Sequence, residues 1–316
     1  MIIGNYNNYH PAPVNFKGHA GCENIITRLG MRESVTTETR FFRDYESIKF
    51  GIKYINEVFK NLKEKYFIVG ACSTGEDMHS LKMLMGNNPV KITGFDIGKE
   101  TIEQAKSGIF NLYTPADIKT SKYTRIVDIH TYDDAFLAFD KPDLTPEQKE
   151  LKKLFNNHFE SIDTKDKMIY KLKEKFRKIF DITYAEFNKL KFRYKNPDNS
   201  LEFKIGDIRD FKDILPNKKG QLFTFKNSFY HIVTDNNYCT RQELPEKQIK
   251  PMLDNIFKNI NKSLDKNGLF IMGEKEDEQR TNIHVIAKSL SDNGFIPIRM
   301  PDRPYLNIWK KTKEID

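Results

Sequence analysis

Residues Phe67 to Phe110 read FIVGACSTGEDMHSLKMLMGNNPVKITGFDIGKETIEQAKSGIF, and the fold of the chain follows from how this stretch alternates. Tyr66 to Val69 is a short apolar run bounded by turn residues, which predicts a strand buried on both faces. Gly70 and Gly75 bracket Ala71, Cys72, Ser73 and Thr74, so the chain is free to turn tightly, and a ligand can approach main chain where no Cβ intervenes. Glu76 and Asp77 then open a helix. Carboxylates at that end are favoured by the helix dipole, and one at the mouth can equally hold a ligand ammonium. Ile92 to Phe95 is a second apolar strand, and Asp96 at its end stands where an acid accepts hydrogen bonds from both hydroxyls of a ribose. The unit reads as a nucleoside crevice at the carboxyl ends of two parallel strands, or as a plain strand, helix and strand packed for stability alone.

The charges narrow the ligand. A dinucleotide site has G-x-G-x-x-G with its pyrophosphate on the helix N-terminus, whereas Gly70 and Gly75 give G-x-x-x-x-G and Glu76 puts an acid where phosphates would sit. No Gly-Lys-Ser/Thr follows the turn, which excludes a P-loop. The remaining common ligand of such a crevice is S-adenosylmethionine, which has an adenosine, an amino acid end and a sulfonium but no phosphate.

Two segments then resemble a family. GACSTGED from Gly70 to Asp77 and GFDIGKETIEQAKSGIF from Gly94 to Phe110 are similar to the cofactor motifs of the chemotaxis-receptor glutamate O-methyltransferases, the CheR family, which carry A-S-T-G-E-E and D-I-x-x-E-x-L-x-x-A-x-x-G-x-Y. Upstream, TTETRFFRD from Thr36 to Asp44 resembles that family's T-x-N-x-T-x-F-F-R-D. Glu202 to Ile208, EFKIGDI, matches the family's fourth strand, and Phe225-Lys226-Asn227 stands where it has C-R-N. Pro245 to Leu264 and Lys266-Asn267-Gly268-Leu269-Phe270 are similar to its penultimate helix and the K-P-D-G-L-L that follows. The similarity spans Thr36 to Phe110 and Leu201 to Met272.

The resemblance implies S-adenosyl-L-methionine as cofactor, with S-adenosyl-L-homocysteine as its product. It also implies an α/β, Rossmann-like class I methyltransferase fold: a seven-stranded, mostly parallel sheet with an antiparallel C-terminal edge strand, here with a helical insertion. In that frame Thr37 and Thr39 touch the cofactor, and Arg43 sits beside the methyl donor. Gly70 and Ala71 form the turn under the ligand, and Glu76 holds the methionine ammonium. Asp96 holds the ribose with Ile97 next to it, Asp207 and Ile208 meet the adenine, and Asn227 with Ser228 lines the floor beneath the sulfonium. Outside that frame Arg43 would read as a solvated helix residue. Phe41 and Phe42 read as packing residues under the site.

The implied reaction is methylation of a carboxylate, a protein glutamate. Such a side chain is already ionised near neutral pH, so no general base is required and catalysis reduces to alignment. Arginine suits that task because its planar fork pairs with a carboxylate through two parallel hydrogen bonds. Arg43, Tyr230 and His231 are the candidate catalytic residues. Where the family continues C-R-N-V-M-I-Y-F, this chain reads FKNSFYHI, so His231 replaces the aligned tyrosine and Tyr230 brings an aromatic hydroxyl one place earlier. Asn227-Ser228-Phe229-Tyr230 also has the outline of the N-P-P-Y motif of amino-methylating enzymes, without its prolines. His231 reads as a general base for an amine or hydroxyl, or as a histidine at the core edge. An N- or O-methyltransferase for another acceptor, a small molecule or a nucleic acid, therefore stays open. So does a scaffold that binds the cofactor without turnover.

Residues 1–60 read as an N-terminal tail and a helical segment carrying TTETRFFRD, and residues 61–316 as the methyltransferase domain. Strands are expected near Tyr66–Val69, Lys91–Asp96, Leu201–Gly206, Gln221–Lys226 and Leu269–Gly273, with a terminal hairpin from Phe295–Met300 and Tyr305–Lys310. Helices near Glu46–Leu62 and Pro245–Leu264 flank them. An insertion at about 114–200 carries apolar residues at helical spacing, Leu151, Leu154 and Phe155, then Ile169, Leu172, Phe176, Ile179 and Phe180. Thr145 to Arg193 holds thirteen Lys/Arg against eight Asp/Glu. This predicts two or three amphipathic helices forming a cap, either as a solvated face or as the docking surface for an acidic protein substrate.

At 316 residues the chain suits one Rossmann-like domain with an insertion, and its net charge of +8 favours acidic partners. Three cysteines, Cys22, Cys72 and Cys239, form no disulfide framework and point to a reducing, cytoplasmic compartment. His19-Ala20-Gly21-Cys22 has ligand-like spacing without a second pair, so no metal is assigned. No basic run interleaved with aromatics, helix-turn-helix signal or zinc finger points to nucleic acid, and no signal peptide, membrane-length apolar run or internal repeat occurs.

Overall fold

The computed structural model describes residues 41–115, 144–171, 184–195, 197, 199–210, 214, 218–226, 228–233, 244–273, 283–300 and 307–315. Strands numbered along the chain are β1 (Lys65–Gly70), β2 (Val90–Asp96), β3 (Ile109–Pro115), β4 (Phe159–Lys171), β5 (Tyr184–Tyr194), β6 (Leu201–Ile205), β7 (Gly220–Phe225), β8 (Leu264–Met272), β9 (Phe295–Ile298) and β10 (Ile308–Lys311). The helices are α1 (Tyr45–Val58), α2 (Glu76–Met85), α3 (Lys99–Ser107), α4 (Pro146–His158), α5 (Phe229–Val233), α6 (Glu246–Ser263) and α7 (Ile283–Asp292).

Seven strands form the main sheet in the order β6-β2-β1-β7-β8-β10-β9. β1 pairs in parallel with β2 and β7, β2 with β6, and β7 with β8, while β10 runs antiparallel between β8 and β9. The progression reverses between β1 and β7. In an open sheet that switch point opens a crevice at the carboxyl ends of the strands. The antiparallel edge expected from the sequence is therefore present, as a hairpin.

Alternation along β1 explains how both faces fill. Phe67 and Val69 join Ile48, Ile52 and Ile55 of α1, Met78 and Leu81 of α2, and Leu222, Leu269 and Ile271 in one buried layer. Tyr66 and Ile68 join Leu253, Ile256, Phe257 and Ile260 of α6, Ile286 and Leu290 of α7, and Trp309 in the other. Each fully buried aliphatic or aromatic side chain of this kind contributes roughly 1.5–3 kcal/mol.

The insertion differs from the expected helical cap. Its first helix is present as α4, opened by a capping box in which Gln148 N donates to Thr145 Oγ1 at 3.2 Å and Thr145 N to Gln148 Oε1 at 2.9 Å. Beyond it, Phe159–Lys171 and Tyr184–Tyr194 are strands, which pair antiparallel with each other and with β3 in a second sheet of order β3-β5-β4. The reason lies in β5. Phe192 and Tyr194 are buried while Lys191 and Arg193, which alternate with them, are not, a period of two that wins once β3 supplies a partner strand some eighty residues away. Leu172, Phe176, Ile179 and Phe180 lie outside the described residues.

Candidate active site

The turn after β1 is the centre of the site. Gly75 has φ +95°, and Ala71 and Ser73 also take left-handed backbone angles, φ 50° and 48°, which cost a non-glycine residue about 1–2 kcal/mol each. Main-chain bonds hold the turn: Cys72 N donates to Phe95 O at 3.0 Å and Gly75 N to Cys72 O at 2.9 Å. Gly70 is needed for packing, because a Cβ there would lie 2.7 Å from Phe225 Cδ2 and 3.0 Å from Phe95 Cζ. Cys72 is buried, and desolvation, reinforced by the carboxylates of Asp96, Asp77 and Glu76, pushes its thiol well above its usual pKa.

Asp96 ends β2 facing this turn. Its Oδ2 accepts Ser73 N–H at 3.0 Å and its Oδ1 accepts Gly98 N–H at 2.9 Å. Two backbone donors thus orient the carboxylate, and each oxygen keeps acceptor capacity for a further donor. Ile97 beside it is 65% exposed, an apolar face at the mouth of the crevice. Glu76 opens α2, with Oε2 accepting Thr74 Oγ1–H at 2.6 Å. The donor set suits S-adenosylmethionine: a carboxylate for two ribose hydroxyls, an acid for an ammonium, an apolar surface for a base, and negative charge where a phosphate would be repelled.

Asp207 follows β6 and is gripped by Arg209, whose Nε lies 2.9 Å from Oδ1 and 3.0 Å from Oδ2. That guanidinium holds the Asp207 carboxyl below its ordinary pKa. Ile208 is buried in the same apolar cluster as Phe95, Phe225 and Ile214, so its side chain belongs to the core.

Arg43 sits in the turn that precedes α1, between Phe42 (φ 59°) and Asp44 (φ 53°). Phe42 N–H donates to Ser80 Oγ at 2.7 Å, and Ser80 Oγ–H donates to Glu76 O at 2.7 Å. The Arg43 carbonyl accepts from Lys226 Nζ at 2.8 Å, and the same ammonium lies 2.9 Å from Asp77 Oδ1. Phe41 and Phe42 are fully buried, as expected of packing residues. Ser228 Oγ–H donates to Lys226 O at 3.1 Å. Tyr230 and His231 fall on α5, directly after β7. Thr37, Thr39 and Asn227 lie outside the described residues.

The structure thus brings together Arg43, Gly70, Ala71, Glu76 and Asp96 around α2 and the β1 turn. Lys226, Asp77 and Ser80 were not singled out as site residues. The available signal was a basic residue aligned with the arginine of C-R-N, and a second acid after Ser-Thr-Gly.

Residues 37–181 match the model of the family described as CheR methyltransferase, SAM binding domain. The chain carries a CheR-like S-adenosylmethionine-binding domain. It is an S-adenosylmethionine-dependent methyltransferase of the class I fold, and S-adenosyl-L-methionine is its cofactor. No curated protein matches the sequence significantly. Among solved structures, the N-methyltransferase NodS from Bradyrhizobium japonicum WM9 is 8% identical, with TM-score 0.38, over 85% of this chain and 97% of that one. A second solved structure, from Methanococcus maripaludis, is 10% identical, with TM-score 0.38, over 89% of this chain and 99% of that one. Likeness that distant adds nothing to the strand order. Among the described residues no group of His, Cys, Asp and Glu could hold a metal ion, and no helix is long and apolar enough to cross a membrane.

Proposed function

We propose that this CheR-like methyltransferase O-methylates a carboxylate, a glutamate side chain on a protein. The observation that carries this reading is the pinned turn of Arg43: its carbonyl and the preceding amide are both bonded to groups anchored on α2, which also carries Glu76. S-adenosylmethionine, when bound, supplies an electrophilic methyl group on its sulfonium. Asp96 and Glu76 hold the cofactor's ribose and ammonium ends. Arg43, on a turn held by these bonds, orients a carboxylate oxygen through its fork without taking its charge away. No proton has to move, since the acceptor is already ionised.

The excess of basic residues between Thr145 and Arg193 supports an acidic protein as the partner, and the scarcity of cysteine suits the cytoplasm. The test is to incubate the protein with methyl-labelled cofactor in a lysate of its own source and treat the labelled product with alkali. A glutamyl ester releases its label as methanol. Label that survives alkali would belong to an N-methyl or methyl ether product and would overturn the ester reading.

A further inference from the structure

We infer that Lys226 is a positioning residue that couples cofactor binding at α2 to the backbone of Arg43. This rests on the proposed role of Arg43. Lys226 follows β7, and its side chain is 2% exposed, so a charge has been taken out of water at a place where the cost is several kcal/mol unless partners replace the solvent. Both partners found are informative. Asp77, the second residue of α2, is adjacent in sequence to Glu76, and the Arg43 carbonyl belongs to a turn with two left-handed non-glycine residues. A strained turn persists only where its surroundings over-determine it. Here Ser80 fixes one side through the Phe42 amide and Lys226 fixes the other. Ordering of the first turn of α2 by a ligand at Glu76 therefore reaches Arg43 through the ammonium of Lys226. A general packing role would not require the ammonium to contact main chain of the one turn that holds the candidate catalytic arginine.

Hydrogen exchange at the Phe42 and Ile48 amides reads this coupling, since the first bonds Ser80 and the second bonds the Asp44 carbonyl. S-adenosylhomocysteine is the probe, and its binding is followed separately by calorimetry. In the native protein the ligand should slow exchange at both amides. In Lys226→Met that ligand-dependent gain should fall about tenfold or more, the worth of one charge-assisted hydrogen bond, while the ligand still binds. Lys226→Arg should restore the gain. Should Lys226→Met not fold, the double variant Asp77→Asn, Lys226→Met removes the uncompensated carboxylate and carries the same expectation. A ligand-dependent gain that persists without the ammonium, or that is missing from the native protein although the ligand binds, overturns the coupling and leaves the cofactor reading intact. Absence of binding to the native protein overturns both.

Discussion

Ser73 donates its backbone N–H to Asp96 Oδ2 across 3.0 Å. Gly98 N–H does the same to Oδ1 at 2.9 Å, so the acid is aimed before any ligand arrives and loses little freedom on binding. Asp96→Ala should abolish binding of S-adenosylhomocysteine in calorimetry. Asp96→Asn keeps the shape but turns an amide N–H₂ toward one of two backbone donors, and should weaken binding about ten- to hundredfold. Native-like affinity in Asp96→Ala would remove Asp96 from the ribose site.

Arg43 is assigned to the acceptor, so its replacement should separate binding from turnover. Arg43→Ala is expected to leave the S-adenosylhomocysteine affinity unchanged while methyl transfer into lysate protein falls by about a hundredfold or more, the usual cost of losing alignment. Arg43→Lys keeps the charge without the fork and should recover only part of the rate. A parallel loss of affinity in Arg43→Ala would make the residue part of the cofactor cradle instead.

Alkaline stability should bear the mark of Tyr66. Its phenol is pushed up to about 12, first by desolvation, and its hydroxyl donates to Thr93 Oγ1 at 2.6 Å, which in turn donates to Glu202 Oε2 at 2.8 Å. The folded value lies above the unfolded value near 10, so the stabilising effect is complete below pH 10 and is lost as pH rises toward 12. Denaturation followed between those limits should steepen in the native protein and flatten in Tyr66→Phe. That variant should also lose about 0.5–1.5 kcal/mol at neutral pH with the hydrogen bond. An unchanged alkaline limb in Tyr66→Phe would assign the loss to other groups.

What could be read from sequence divides along the range of the contacts involved. β1, the turn and the position of Asp96 at the end of β2 were legible because strand period, glycines and a terminal acid are local marks, while Arg43 was singled out through its flanking motif. The use of Gly70 was not, because its reason is the ring of Phe225, far along the chain. Lys226 and Asp77 are 149 residues apart, and no local pattern announces their pair. The insertion misled for the same cause: Leu151, Leu154 and Phe155 do lie on a helix, but the strand character of β4 and β5 depends on β3, whose pairing a spacing rule does not contain.

Phe155 is one of the residues that fasten this insertion to the turn of Arg43. It is fully buried, stacked on Phe159 at 4.6 Å and set edge-on to Phe192 at 5.2 Å and to Phe41 at 5.0 Å. Phe41 lies two residues before Arg43, so the aromatic cluster joins α4 and the small sheet to the turn that carries the arginine. Phe155→Ala should cost about 3–5 kcal/mol in chemical denaturation, with Phe155→Leu recovering much of it. Because Asp96 and Glu76 are held by bonds to Ser73, Gly98 and Thr74 in their own turns, affinity for S-adenosylhomocysteine should survive in the folded variant while turnover falls. Turnover that stays native in a destabilised Phe155→Ala would mean that the cluster holds the insertion without helping to place Arg43.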